Sequence, residues 1–331
     1  MKKPRLVALL LAVALLAGLT TTAAKKKEDN NKVELKGDIA VSGAFALYPM
    51  AVMWAQEFQK LHPGVVVDVS AGGAGKGMAD VLSGSVDIGM VSRQIHPEEI
   101  SKGAWFAAVT RDAVVATVSA KNPMMKTILA HGAKKENLVN LWVTGKAKTW
   151  GDIIGSDYPY PVSVYTRSDA CGAAEVWAGY LGKKQEDLKG IAVYGDPGIA
   201  QTVKGDDLGI GYNNLNFAYD LKTQKPVAGL AILPLDLNGN GTIDPEENFY
   251  GTLAQIDKAI ADGKYPSPPA RDLYFVSRGK PQRAVVVEFL RYVLTDGQKL
   301  VASAGYIPLS DDRIASELAK LAPEPQAPKK K

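Results

Sequence analysis

Hydrophobic and polar positions alternate in blocks that predict strands and helices in turn. Asp38-Ile39-Ala40-Val41-Ser42-Gly43 predicts a short strand ending in a glycine turn. Pro49 follows where the first turn of a helix tolerates proline, and Met50, Met53, Trp54, Phe58 and Leu61 recur at helical spacing until His62-Pro63-Gly64 stops them. Val65 to Val69 is β-branched and strand-like, the loop Ala71 to Gly77 is glycine-rich, and a helix runs on through Val81 and Leu82 to a third strand, Val86 to Val91. This alternation predicts βαβ units and a largely parallel sheet. A second α/β block begins near Ala116, with a strand from Val162 to Thr166 and a helix from about Gly172 to Leu181. A strand from Asp272 to Val276 and a helix from Val285 to Leu294 return to the first block, and Asp296 and Gly305 predict the two ends of one more helix.

The 331 residues suit two domains of about 150 residues each. Apolar residues at 46% and charged residues at 22% exclude a disordered or collagen-like chain. The net charge of +4 sits in the ends of the chain, so the body is not basic and no nucleic-acid partner is expected. Lys2, Lys3 and Arg5 precede fourteen apolar residues, Leu6 to Leu19, and then the small residues Ala23 and Ala24. That is the pattern of an export signal over residues 1–24, because fourteen helical residues rise only about 21 Å against a hydrocarbon core of about 30 Å. The expected location is the periplasm or the extracellular surface. Leu16-Ala17-Gly18 resembles the start of a lipobox, but Leu19 replaces the lipid-bearing cysteine, so no lipidation is expected there. Cys171 is the sole cysteine, which excludes an internal disulfide. The proline- and lysine-rich end from Ala322 is expected to be disordered.

Three places bear chemistry. The Gly72–Gly77 loop fails the nucleotide-binding pattern, since Ser70 stands at its first glycine and Gly77 follows the Gly75-Lys76 pair. What survives is a glycine turn opening a helix, where free N–H groups and the dipole favour a small anion. Thr166-Arg167-Ser168-Asp169-Ala170-Cys171-Gly172-Ala173-Ala174 repeats that arrangement beside an arginine, whose planar fork suits a tetrahedral oxyanion and which Asp169 can hold. Ser92-Arg93 lies past the third strand, at the carboxyl end where open α/β sheets bind ligands. The three histidines, His62, His96 and His131, fall in no nucleophile–base pattern, and no Gly-x-Ser-x-Gly elbow is present, so an enzyme is not expected.

These segments, with Ser42-Gly43-Ala44-Phe45-Ala46-Leu47-Tyr48-Pro49, Val86 to Arg93, Tyr265-Pro266 and Ala304-Gly305-Tyr306-Ile307-Pro308-Leu309, resemble the phosphate-binding proteins of bacterial and archaeal ABC importers. The resemblance implies an α/β protein of the two-lobe periplasmic binding protein type II fold, each lobe a mixed sheet flanked by helices. Lobe 1 would comprise 33–117 plus 267–312 and lobe 2 would comprise 118–266, with 313–331 as the C-terminal end. It implies a solute-binding component, partnered by a membrane permease and expected to be a monomer, that closes on phosphate or a similar small oxyanion. The family's contacts fall on Leu47, Tyr48, Ala74, Ser92, Arg167, Cys171, Gly172 and Ala173, and Arg93 is a further basic candidate from the residues themselves. Cys-Gly-Ala stands where the family has Ser-Gly-Thr, and Ala74 where it has serine, so several hydroxyl donors are missing. The alternative is a secreted enzyme or anion-sensing module on the same fold, using Cys171.

One motif is independent of that resemblance. Asp236 to Glu247 places oxygen donors at positions 1, 3, 5, 9 and 12 of a twelve-residue loop, with Gly241 at position 6 and Ile243 at position 8, the calcium-loop pattern of EF-hands. Asp236, Asn238 and Asn240 would coordinate by side chain, Thr242 by its carbonyl, Asp244 through water and Glu247 with both oxygens. Ala231 to Pro234 reads as a strand, so no entering helix precedes the loop, and the expected calcium is structural.

Overall fold

The computed structural model describes residues 35–322; the expected export signal and the C-terminal tail beyond Ala322 lie outside the described residues. The described residues form eleven strands, β1 Gly37–Gly43, β2 Val65–Ala71, β3 Ile88–Val91, β4 Ala104–Ser119, β5 Ala133–Lys134, β6 Ser163–Arg167, β7 Ile191–Val193, β8 Gly209–Asn214, β9 Leu230–Ile232, β10 Leu235–Asp236 and β11 Ala270–Arg278. Nine of them form one sheet in the order β2-β1-β3-β11-β4-β8-β6-β7, with β9 also on β4, and β10 pairs with β5 apart. β1 is parallel to β2 and β3, and β6 to β7 and β8, as βαβ units require. β11 is antiparallel to both β3 and β4, and β4 to β8. The sheet is therefore mixed, not largely parallel.

β4 is sixteen residues long, and the sequence showed only its end. It is buried along nearly its whole length, so it has no polar alternation to read, and Arg111-Asp112 interrupts its apolar run. Two cores form on it. One gathers Ala104 and Val109 of β4 with β1–β3, Trp54, Phe58 and Phe289. The other gathers Ala113 to Val118 with Trp142, Trp150, Trp177, Tyr212 and Ile256. β11 is shared in the same way, Leu273 and Phe275 serving the first core and Ala270 the second.

The helices Tyr48–Leu61, Gly172–Tyr180 and Ala284–Leu294 match their periodicity. The glycine-rich loop is shorter than its composition suggests, because Ala74 already opens the helix Ala74–Ser83. The helix expected between Asp296 and Gly305 is instead two short 3₁₀ turns, Asp296–Leu300 and Ala302–Ala304, closed by Gly305 at φ +75°. Asp311–Leu321 is an unanticipated helix, capped by Ser310. Among the described residues no helix is long and apolar enough to cross a membrane.

Candidate functional site

β6 ends in Arg167, and the chain turns at once into the helix Gly172–Tyr180. Gln185 pins that turn, donating to the Asp169 carbonyl at 2.7 Å and accepting from the Cys171 N–H at 3.2 Å. Cys171 is the N-cap, its Sγ accepting from the Ala174 N–H at 3.4 Å. Gly172 and Ala173 open the helix, so their N–H groups have no carbonyl within it to bond.

The Arg167 side chain is fully buried. Nε and Nη2 fork onto Asp169 at 2.8 and 2.6 Å, and Nη1 reaches Asp196 at 2.6 Å. Three of its five N–H donors are thereby taken and two are left. Phe45 lies over the guanidinium at 5.6 Å, with Tyr194 edge-on to that ring. Burial opposes the arginine's charge, but Asp196 foremost, with Asp169, outweighs it and raises the pKa above the ordinary value.

Ser92, past β3 on the first core, meets this turn from the other side. A Cβ at Gly172 would lie 2.3 Å from both the carbonyl oxygen and Oγ of Ser92. Gly75, beside Ala74 in the glycine-rich loop, donates its N–H to the Ala170 carbonyl at 3.1 Å. The structure thus brings Ala74, Ser92, Arg167, Cys171, Gly172 and Ala173 together. Leu47, the N-cap of the first helix, is wholly buried, and Tyr48 is half-buried behind it. Phe45, two residues earlier, is the part of that loop that reaches Arg167.

Arg93 is directed elsewhere. It pairs with Glu99 at 2.6 and 2.9 Å and with Glu175 at 3.0 Å, and Glu175 also meets His96 at 2.9 Å. A cavity of about 750 Å³ opens here, lined by Arg93, Cys171, Glu175 and Arg271 among others. Arg167, Ser92 and Ala74 do not line it, and it is far roomier than a tetrahedral oxyanion requires.

Three site residues escaped the sequence reading. Arg271 on β11 donates through Nε to the Ser92 carbonyl at 2.9 Å and through Nη2 to Asn214 Oδ1. The Asn214 N–H donates to Asp196 Oδ1 at 2.9 Å, which completes a chain from Ser92 through Arg271, Asn214 and Asp196 to Arg167. A charged residue entering an apolar strand was the available signal for Arg271. Asp196, at the helix start after β7, repeats the position of Asp169 after β6. Asn214 offered none.

Burial raises the Cys171 thiol to about 12, Arg167 pulling the other way. A thiol protonated so firmly is no nucleophile at neutral pH.

The PBP superfamily domain matches residues 20–297. The phosphate-binding protein PstS of Bacillus subtilis (strain 168) is 26% identical over 329 residues, covering 96% of this chain and 98% of its own. That of Staphylococcus haemolyticus (strain JCSC1435) is 24% identical over 294 residues, 87% of this chain and 86% of its own. The crystal structure of an ABC-type phosphate transport receptor from Vibrio cholerae superposes with a TM-score of 0.61 at 18% identity, covering 82% of this chain and 100% of that one, which is a likeness of fold.

Proposed function

Because the chain belongs to the PBP superfamily, we propose that it is the extracytoplasmic solute-binding component of an ABC importer, enclosing phosphate or a similar small oxyanion beside Arg167. It is not an enzyme. The reading that makes Cys171 a nucleophile is disfavoured by the raised thiol pKa. The names of the Bacillus and Staphylococcus relatives support phosphate as the ligand class. The single observation that carries the reading is the buried Arg167, preset by two carboxylates beside two open helix starts.

In this reading the two cores are two lobes, close to the expected 33–117 with 267–312 and 118–266, except that the second core already takes Ala113 to Ala116 of β4 and Ala270 of β11. Their closure covers the anion, and the closed pair of lobes is the surface that a membrane permease recognises. The protein works as an exported monomer. The first-loop positions Leu47 and Tyr48, Ala74 of the glycine-rich loop, Ser92, and Cys171, Gly172 and Ala173 surround the ligand. Backbone N–H groups take over from the hydroxyls that Ala74, Cys171 and Ala173 lack. Two carboxylates against one guanidinium also favour an anion that brings a proton of its own. A protonated phosphate can donate to Asp169 or Asp196, whereas sulfate at neutral pH cannot.

Calorimetric titration with phosphate, sulfate, molybdate and tungstate tests this. Phosphate should bind, with sulfate weaker by at least roughly tenfold, about 1.4 kcal/mol. Binding of none of the four would end the reading.

A further inference from the structure

The loop between β10 and the helix Leu253–Ala261 contains an electrostatic imbalance. Asp236 and Glu247 are each only 4% exposed. Among the described residues neither forms an ion pair. From Pro226 to Asp257 the chain has no Lys, Arg or His at all, while it carries Asp236, Asp244, Glu246, Glu247 and Asp257. Buried carboxylates without a cation are costly enough that folded proteins pair them or give them a metal.

We propose that Asp236–Glu247 binds one structural calcium ion. Two independent observations converge on it: the donor spacing in the sequence, and two buried carboxylates, Asp236 at position 1 and Glu247 at position 12. These have no cation within ion-pair distance among the described residues and accept N–H groups of the loop instead, Asp236 those of Gly239 and Gly241 at 2.7 and 2.8 Å. Glu247 reaches back across the loop, Oε1 accepting from the N–H groups of Leu237 and Asn238 at 2.9 and 3.0 Å and Oε2 from that of Asp244 at 3.2 Å. Gly239 and Gly241, at φ +76° and +90°, turn the chain around Asp236. Among the described residues no group of three or more His, Cys, Asp and Glu side chains is placed to hold a metal. A calcium loop does not depend on such a group, because amide oxygens of Asn238 and Asn240, the Thr242 carbonyl and water complete six to eight ligands.

The ion fastens two segments together. The Ile243 N–H donates to the Ala130 carbonyl at 2.8 Å, at the end of the helix Met125–His131, and β10 pairs with β5 just beyond that helix. With no entering helix before the loop, there is no helix pair to open, so the ion stabilises rather than signals.

The test is calorimetric titration of calcium chloride into chelator-treated protein, with melting measured in calcium, magnesium and chelator at one ionic strength. Calcium should bind with Kd of about 10⁻⁴–10⁻³ M or tighter and raise the melting temperature, while magnesium at the same concentration should not. Glu247→Gln should abolish the calcium effect. Since Glu247 is buried and its variant can fail to fold, Asn240→Ala, on the exposed side of the loop, is the second arm and should weaken calcium at least tenfold. Equal melting in calcium and chelator without heat of binding, equal stabilisation by magnesium, or unaltered affinity in Asn240→Ala would each overturn the proposal. None of these readouts involves the anion, so failure here leaves the importer reading intact.

Discussion

Gly172 lies so close to Ser92 that any side chain larger than hydrogen would overlap both its carbonyl oxygen and its Oγ. That contact joins the helix start beside Arg167 to the end of β3, one on each core. Gly172→Ala must therefore push the two apart by more than an ångström. Anion affinity should fall at least tenfold, and the melting temperature should fall too, since forcing a buried contact apart costs about 1–3 kcal/mol. Titration with phosphate and melting curves with and without it check this. Unchanged affinity would mean that the anion does not require this approach.

Arg167 gives a second prediction. Were it an exposed pair with Asp169, worth under about 1 kcal/mol, its loss would hardly disturb the fold. In the structure it is buried between Asp169 and Asp196, and Arg167→Ala leaves two buried carboxylates without their cation, held only by N–H groups such as those of Gly195 and Asn214. Such a loss costs about 3–5 kcal/mol, visible as a lower denaturation midpoint. Arg167→Lys keeps the charge and loses the fork. It should remain folded and bind anion at least tenfold more weakly. A Lys variant of native affinity would place the ligand elsewhere.

Much of this was legible beforehand. β1 to β3 and the helices between them announce themselves by period, and Arg167, Cys171 and Gly172 stand where a strand runs into a helix. What was not legible depends on long-range contact. Arg93 looks free in the sequence, yet Glu99, six residues on, holds it with two bonds, and Glu175, eighty-two residues on, adds a third from a helix of the second core. Arg271 and Asn214 reach the site only because β11 enters the sheet beside β4, a crossing that no local pattern encodes. β4 itself was hidden by being buried on both faces.

Cys171 yields a third prediction. Its thiol, pushed up to about 12 by burial, should resist a disulfide-exchange reagent at pH 7.5 in the folded protein and react at once in denaturant. Cys171→Ser replaces a weak 3.4 Å cap with a strong one, which should raise stability by about 0.5–1 kcal/mol. It also restores a hydroxyl at the helix start, so phosphate affinity should rise. Rapid labelling of the folded protein would contradict the burial.

The fourth concerns pH. Burial, and to a lesser degree Asp112, raises Asp257 to about 7. The folded state then holds this proton more tightly than the unfolded chain does. Its contribution to stability is complete below about pH 4 and is lost as pH rises through about 7. Asp257→Asn removes that loss, so the variant should gain on the parent from about pH 4 to about 7 and level off above that. Parallel melting-temperature curves over that range would show Asp257 to be ordinary.

The place of β11 also fixes an order of assembly. Among the described residues it is the last strand to be synthesised, yet it lies between β3 and β4 in the middle of the sheet. Nearly every residue of the second core lies between Ala113 and Ala270, so that core can consolidate while the first is incomplete. Until residues 270–278 arrive, β3 and the first half of β4 have no common neighbour and present two bare edges to any other chain. A chain truncated before Ala270 should thus aggregate through those edges, and a slow late step in refolding should be the insertion of β11 between them.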